Sequence, residues 1–151
     1  MAHMPLTEWR CDKCGGAVDA HNGWVEWESG SVFGPRNFHI VHNSRACSFH
    51  DSSPLRKDCH IRDFLGVEGA HNLQALVQPP SFFVDNFAGG KWQQPDLREF
   101  YELCRRLQVP YYEEARPYFN VAYSQGEMDG ANETTISSPD FCKRIYDIYG
   151  E

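Results

Sequence analysis

Cys11-Asp12-Lys13-Cys14-Gly15-Gly16 decides how the first third of this chain is read. A Cys-x2-Cys-Gly run is the tight turn that aims two thiolates at one metal ion, and a tetrahedral ion of zinc type accepts such a pair readily. Glycines behind the second cysteine let the backbone take the positive φ that the turn needs. A redox pair would require a helix directly after the motif. Strand-like sequence follows instead, so metal binding is the reading carried forward.

Downstream, Asp19-Ala20-His21-Asn22-Gly23 is a hairpin signal, and Trp24-Val25-Glu26-Trp27-Glu28 alternates as a strand does. Ser31-Val32-Phe33 reads as a second short strand. In Asn37-Phe38-His39-Ile40-Val41-His42, alternation places Phe38, Ile40 and His42 on one face. A strand ending on His42 delivers an imidazole to the sheet edge. The short polar loop Asn43-Ser44-Arg45-Ala46 then leads to Cys47.

The completed pattern is Cys11-x2-Cys14, 27 intervening residues, then His42-x4-Cys47. Over residues 8–50 it resembles the zinc-ribbon class, in which two knuckles clamp one ion and short strands hang from it. The resemblance implies one structural Zn2+ held by Cys11, Cys14, His42 and Cys47. The second half departs from the commoner Cys-x2-Cys, and His50, Cys59 and His60 stand as alternative ligands. Four protein ligands close the coordination sphere, whereas three plus water would make a hydrolase or nuclease centre.

Residues 51–95 read as a helical segment followed by an aromatic connector. Ser53-Pro54 is a plausible helix start. Val67, Ala70, Leu73, Leu76 and Val77 recur at helical spacing until Pro79-Pro80, with Gly66 and Gly69 weakening the front. Residues 79–95 are rich in breakers and aromatics and read as an ordered connector between the two parts. Its rings Phe82, Phe83, Phe87 and Trp92 are candidates for a partner-binding surface, since aromatic side chains are common interface anchors.

Residues 96–151 read as a bundle of about three helices. Asp96-Leu97-Arg98-Glu99 fits a cap with an acidic partner at the third helical position. Leu97, Phe100, Tyr101, Cys104 and Leu107 follow at helical spacing. A second helix starts at Pro110 and breaks near residues 113–116, ahead of Pro117. A third runs from Ser138-Pro139 to Tyr149. Cys104 and Cys142 fall on apolar faces, and Glu113-Glu114 reads as a solvated face. The expected class is α+β: a β-rich zinc module at 8–50 packed on helices, the whole one compact unit because Trp24, Trp27 and Phe33 need cover.

The 151 residues carry a net charge of −7, and the excess is larger in residues 79–151 than before them. An acidic surface disfavours broad nucleic-acid binding, so a DNA-associated regulator is the weaker alternative. Met1-Ala2-His3 reads as a cloning remnant ahead of Met4. No secretory signal or membrane span is apparent, which with six cysteines suggests reduced thiols and a cytoplasmic setting. No catalytic constellation assembles: the Cys47-Ser48-Phe49-His50-Asp51 run is adjacent in sequence, not aligned by it. The expectation is a zinc-stabilised, non-enzymatic interaction protein with a protein partner, as in bacterial or phage regulation, its oligomeric state unspecified.

Overall fold

The computed structural model describes residues 3–30 and 34–150. The expected strand at 31–33, and with it Phe33, lies outside the described residues. Two short strands, β1 (Glu8–Arg10) and β2 (Ala17–Asp19), pair antiparallel across the Cys11–Gly16 turn. A second sheet is built from β3 (Gly23–Glu28), β4 (Arg36–His42) and β5 (Arg56–His60) in the order β4-β3-β5, all antiparallel. Gly23 starts β3 where nothing larger fits: a Cβ there would lie 2.2 Å from Val18 and 2.4 Å from Ile61.

Residues 56–60 correct the expected helix after Ser53-Pro54. Arg56-Lys57-Asp58-Cys59-His60 is polar enough to read as neither a helix nor a strand by itself. It becomes a strand because β3 offers it an edge, pairing Trp24 with His60 and Glu28 with Arg56.

Helices follow from residue 66. They are α1 (Gly66–Val77), α2 (Ser81–Phe87), α3 (Leu97–Gln108), α4 (Tyr112–Ala115), α5 (Phe119–Ser124), α6 (Glu133–Ile136) and α7 (Pro139–Tyr149). The class is therefore α+β, as the patterns implied, with the C-terminal part cut into more and shorter helices than three. α2 lies inside the aromatic connector, whose breakers delimit a helix. Pro80 precedes its first residue, and Gly89 and Gly90 follow it at φ +62° and +74°. The break near residues 113–116 is present: a single 3-10 turn, Arg116–Tyr118, separates α4 from α5.

Caps behave as read. Asp96 Oδ1 accepts from the Arg98 and Glu99 N–H groups, and Ser138 Oγ accepts from Phe141 N–H. Glu99, however, does not return to its own helix end; its carboxylate accepts the Phe38 N–H of β4 and ties α3 to the sheet.

One apolar core joins the sheets to α1 and α3 through Trp9, Trp27, Ile40, Leu73, Phe100 and Leu107. Trp27 and Phe64 meet edge-on with centroids 5.9 Å apart, and Phe38 meets Phe100 at 5.7 Å. A second cluster collects α4, α5 and α7 around Tyr112, Ala115, Cys142 and Ile145. Cys142 is fully buried, and burial pushes the half-buried Cys104 thiol up to about 12. No helix among the described residues is long and apolar enough to cross a membrane.

Candidate metal centre

The turn between β1 and β2 is held by its own backbone before any side chain acts. Cys11 N–H donates to Gly16 O at 2.8 Å and Gly15 N–H to Cys11 O at 2.9 Å, with Gly15 at φ +78°. Gly16 N–H points at Cys14 Sγ, 3.4 Å away. A Cβ on Gly16 would lie 3.4 Å from that sulfur and 3.5 Å from the His42 ring, so the residue is small where the second knuckle approaches.

β4 carries the third donor. It ends on His42, and a 3-10 turn, Arg45–Cys47, brings Cys47 back beside it. Sγ of Cys11, Cys14 and Cys47 and a ring nitrogen of His42 all lie within 4.8 Å of one another. His42 Nδ1 is 3.4 Å from Cys14 Sγ and 3.7 Å from Cys47 Sγ. The other ring nitrogen, Nε2, donates to Ala17 O at 2.9 Å. That bond selects the tautomer with Nδ1 unprotonated and facing the sulfurs, which is how backbone carbonyls orient metal-binding histidines.

Cys11 is buried, which opposes ionisation. The N–H groups of Cys14, His42 and Lys13 around its sulfur outweigh this and hold its pKa down at about 6. Cys47 is pushed up, first by burial and then by the hydrogen it shares with Cys11. A cation among the three sulfurs would favour the thiolate at each of them, Cys47 included, since thiolates bind metals and thiols do not. The arrangement can hold one metal ion with four protein ligands.

Of the alternative ligands, His50 is engaged elsewhere: its Nε2 faces Asn37 O at 2.8 Å and its Nδ1 faces Glu28 at 3.5 Å. Cys59 and His60 lie on β5, opposite Val25 and Trp24, and neither joins the cluster. None of the six cysteines is in a disulfide.

Three residues that support the centre carried no signal in the sequence. Glu26 shares a strand face with Trp24 and Glu28 and is fully buried. Its carboxylate accepts from Ser48 Oγ, from Phe49 and His50 N–H (both 3.1 Å) and from Arg56 Nε at 3.1 Å. These bonds fix the turn that follows Cys47. Burial works against the Glu26 charge, but the four donors prevail and keep its pKa below the usual carboxylate value.

Asp12, inside the first knuckle, clasps β4. Its N–H donates to Ile40 O and its Oδ2 accepts from Ile40 N–H, both at 2.8 Å. Arg106 on α3 then holds Asp12 from the helical side, with Nη1 3.0 Å from Oδ2. The same guanidinium binds Glu113 of α4 through two bonds of 2.8 Å and donates to Arg10 O at 3.2 Å. Glu113 is thus buried in an ion pair, which corrects the solvated face expected of Glu113-Glu114. Arg106 of α3 covers the side of α4 on which Glu113 falls.

The aromatic candidates separate. Phe82, Phe83 and Phe87 on α2 are 72, 43 and 67 % exposed. Trp92 is half-buried, and its indole N–H donates to Val77 O at 3.2 Å. Comparison with protein families, curated proteins and solved structures finds no match to this chain.

Proposed function

We propose that this chain is a zinc-stabilised interaction protein. Cys11, Cys14, His42 and Cys47 hold a single structural Zn2+ in a ribbon-like module, and the α2 region presents a surface to a protein partner. The observation that carries the first part is the mutual spacing of the four donors. With bonds of about 2.3 Å to sulfur and about 2.0 Å to nitrogen, a tetrahedral zinc site has an S–N edge of about 3.5 Å. The two S–N separations at His42, 3.4 and 3.7 Å, straddle that value.

Three soft sulfurs and one imidazole form a donor set suited to zinc, and four protein ligands leave no position for a catalytic water. The role assigned to the ion is to bind the two knuckles to each other. Elemental analysis of the purified protein should return one zinc per chain, and Cys47→Ala or His42→Ala should lower that content severalfold. A well-folded protein that contains no bound metal and takes up none from micromolar zinc would refute the reading.

The second part rests on exposure. Phe83 and Phe87 stack with centroids 5.3 Å apart at the surface. Beside them is an apolar hollow of about 250 Å3 lined by Leu76, Pro79, Pro80, Phe83 and Trp92. Contiguous exposed rings next to a hollow are the features of an interface anchor. Because Trp92 is docked on Val77, the informative substitutions are Phe82→Ser and Phe87→Ser. Both should leave the thermal midpoint within about 2 °C of the parent, as surface changes do, and both should abolish retention of the physiological partner.

A further inference from the structure

The four donors of the candidate centre differ in how far they are sheltered. Cys11 is 1 % exposed, and its sulfur takes N–H groups from Lys13, Cys14 and His42. Cys14 is exposed at the other end of the same turn, where the Gly16 N–H points at its sulfur from 3.4 Å. Cys47 is partly exposed at the end of its 3-10 turn. The Cys14 and Cys47 sulfurs lie within 4.8 Å of each other, and His42 Nδ1 stands 3.4 Å from the first and 3.7 Å from the second.

These differences rank the sulfurs by reactivity. Hydrogen bonds to a thiolate hold its electron pair and weaken its attack, and burial keeps reagents out. Cys11 has both protections. Cys14 is therefore the sulfur that an electrophile meets first, with Cys47 the second thiolate in reach. Metal binding keeps both in the thiolate form, which is the nucleophile. Cys59, Cys104 and Cys142 stand outside the cluster, and burial pushes each of their thiols up, away from the thiolate.

We infer that the metal centre is also a redox-controlled release site, in which a hydroperoxide oxidises Cys14 and Cys47 closes a disulfide onto it. The Cys14 thiolate attacks one peroxide oxygen and breaks the O–O bond, giving a sulfenic acid and an alkoxide that takes a proton from water. The Cys47 thiolate then attacks the sulfenic sulfur, forming the S–S bond and expelling hydroxide, which is likewise protonated by the solvent. The two sulfurs together supply the two electrons that reduce the peroxide. Cys11 and His42 remain, half the donors of a closed zinc site, so the ion is lost. The sulfurs must close from within 4.8 Å to about 2 Å. Both cysteines adjoin exposed turn residues, 12–15 and 43–46, which can move with them. The new bond joins one knuckle to the other, as the ion did, and a thiol reductant reverses it. The inference rests on the zinc reading and adds a control to the same site.

The test uses the zinc-loaded full chain, treated with a small excess of hydrogen peroxide. Zinc release is followed with a metallochromic indicator, while free thiols are blocked and unreduced peptides are mapped by mass spectrometry. Zinc release and a Cys14–Cys47 disulfide should rise together, with Cys104 and Cys142 unmodified, and dithiothreitol with added zinc should reverse both. A brief pulse of iodoacetamide on the untreated loaded chain should label Cys14 at least about fivefold faster than Cys11. A dominant disulfide that contains Cys11, zinc retained after the peroxide is consumed, or equal labelling of Cys11 and Cys14 would each overturn the inference. The metal reading fails differently, by the absence of zinc before any peroxide is added, and takes this inference with it.

Discussion

Replacing Glu113 with alanine tests the most consequential contact between the knuckle and the helices. The side chains of Arg106 and Glu113 are 6 and 7 % exposed and joined by two bonds of 2.8 Å. Truncating Glu113 removes both bonds and the contact from Arg116 at 3.2 Å. Arg106 is left buried with Asp12, whose side chain is partly solvated, and with the Arg10 carbonyl. Breaking a buried pair by removing one partner costs about 3–5 kcal/mol, because the remaining charge has lost its compensation. In a chain of this size 1 kcal/mol moves the melting temperature by about 2–4 °C, so the fall should be roughly 6–20 °C. A solvated glutamate would instead change stability by no more than about 0.5 kcal/mol. The assay is thermal unfolding followed by circular dichroism on metal-loaded protein, parent and variant at one pH. Glu113→Gln, which keeps one acceptor for the guanidinium, should fall between the two. A shift smaller than about 2 °C for Glu113→Ala would refute the claim that this pair holds the knuckle to α3 and α4.

Three further outcomes follow from other parts of the molecule. Gly69→Ala, which helix propensity alone would favour by up to about 1 kcal/mol, should instead destabilise by about 1–3 kcal/mol, read from the melting temperature. Its Cβ would meet the Phe64 backbone carbonyl carbon at 2.1 Å. Glu26→Gln should destabilise the protein at neutral pH, and its deficit should shrink on acidification. The parent's carboxylate has a folded pKa below its ordinary 4.5, so its contribution is complete above that value and is lost as pH falls through the lower folded pKa. Melting curves of parent and variant between pH 6 and pH 3 decide this, and a constant difference would count against it. Treating the loaded protein with a strong chelator should first broaden or shift the NMR signals of Cys11–Gly16 and residues 42–50, with signals of α7 the last to respond. Uniform loss of all signals would mean that the ion holds the whole chain rather than the knuckles.

Local chemistry made much of the candidate centre legible. Cys11 and Cys14 were readable because a four-residue turn brings its own ends together whatever surrounds it. His42 and Cys47 were readable because a strand and a short loop place them next to each other. α3 and α7 were readable because Asp96 and Ser138 cap them locally. β5 was not, since its polar residues become a strand only when β3 provides the pairing edge. α2 was hidden among prolines and glycines that mark its limits. Glu113 was misread, and the burial of Glu26 gave no sign, for one reason: alternation and helical spacing give the side of an element on which a residue falls, but not what covers that side.

The sequence by itself determined the α+β order, the two knuckles and the caps, because each depends on residues within a few positions of one another. Only the tertiary structure decided that the donors of both knuckles converge within 4.8 Å and that Glu26 is buried under the turn after Cys47. It also decided that Arg106, 94 positions from Asp12, clasps the first knuckle to the helices. The physical reason is burial. A charged side chain reads as solvated until another part of the chain covers it, and once covered it must find partners that only the folded arrangement supplies.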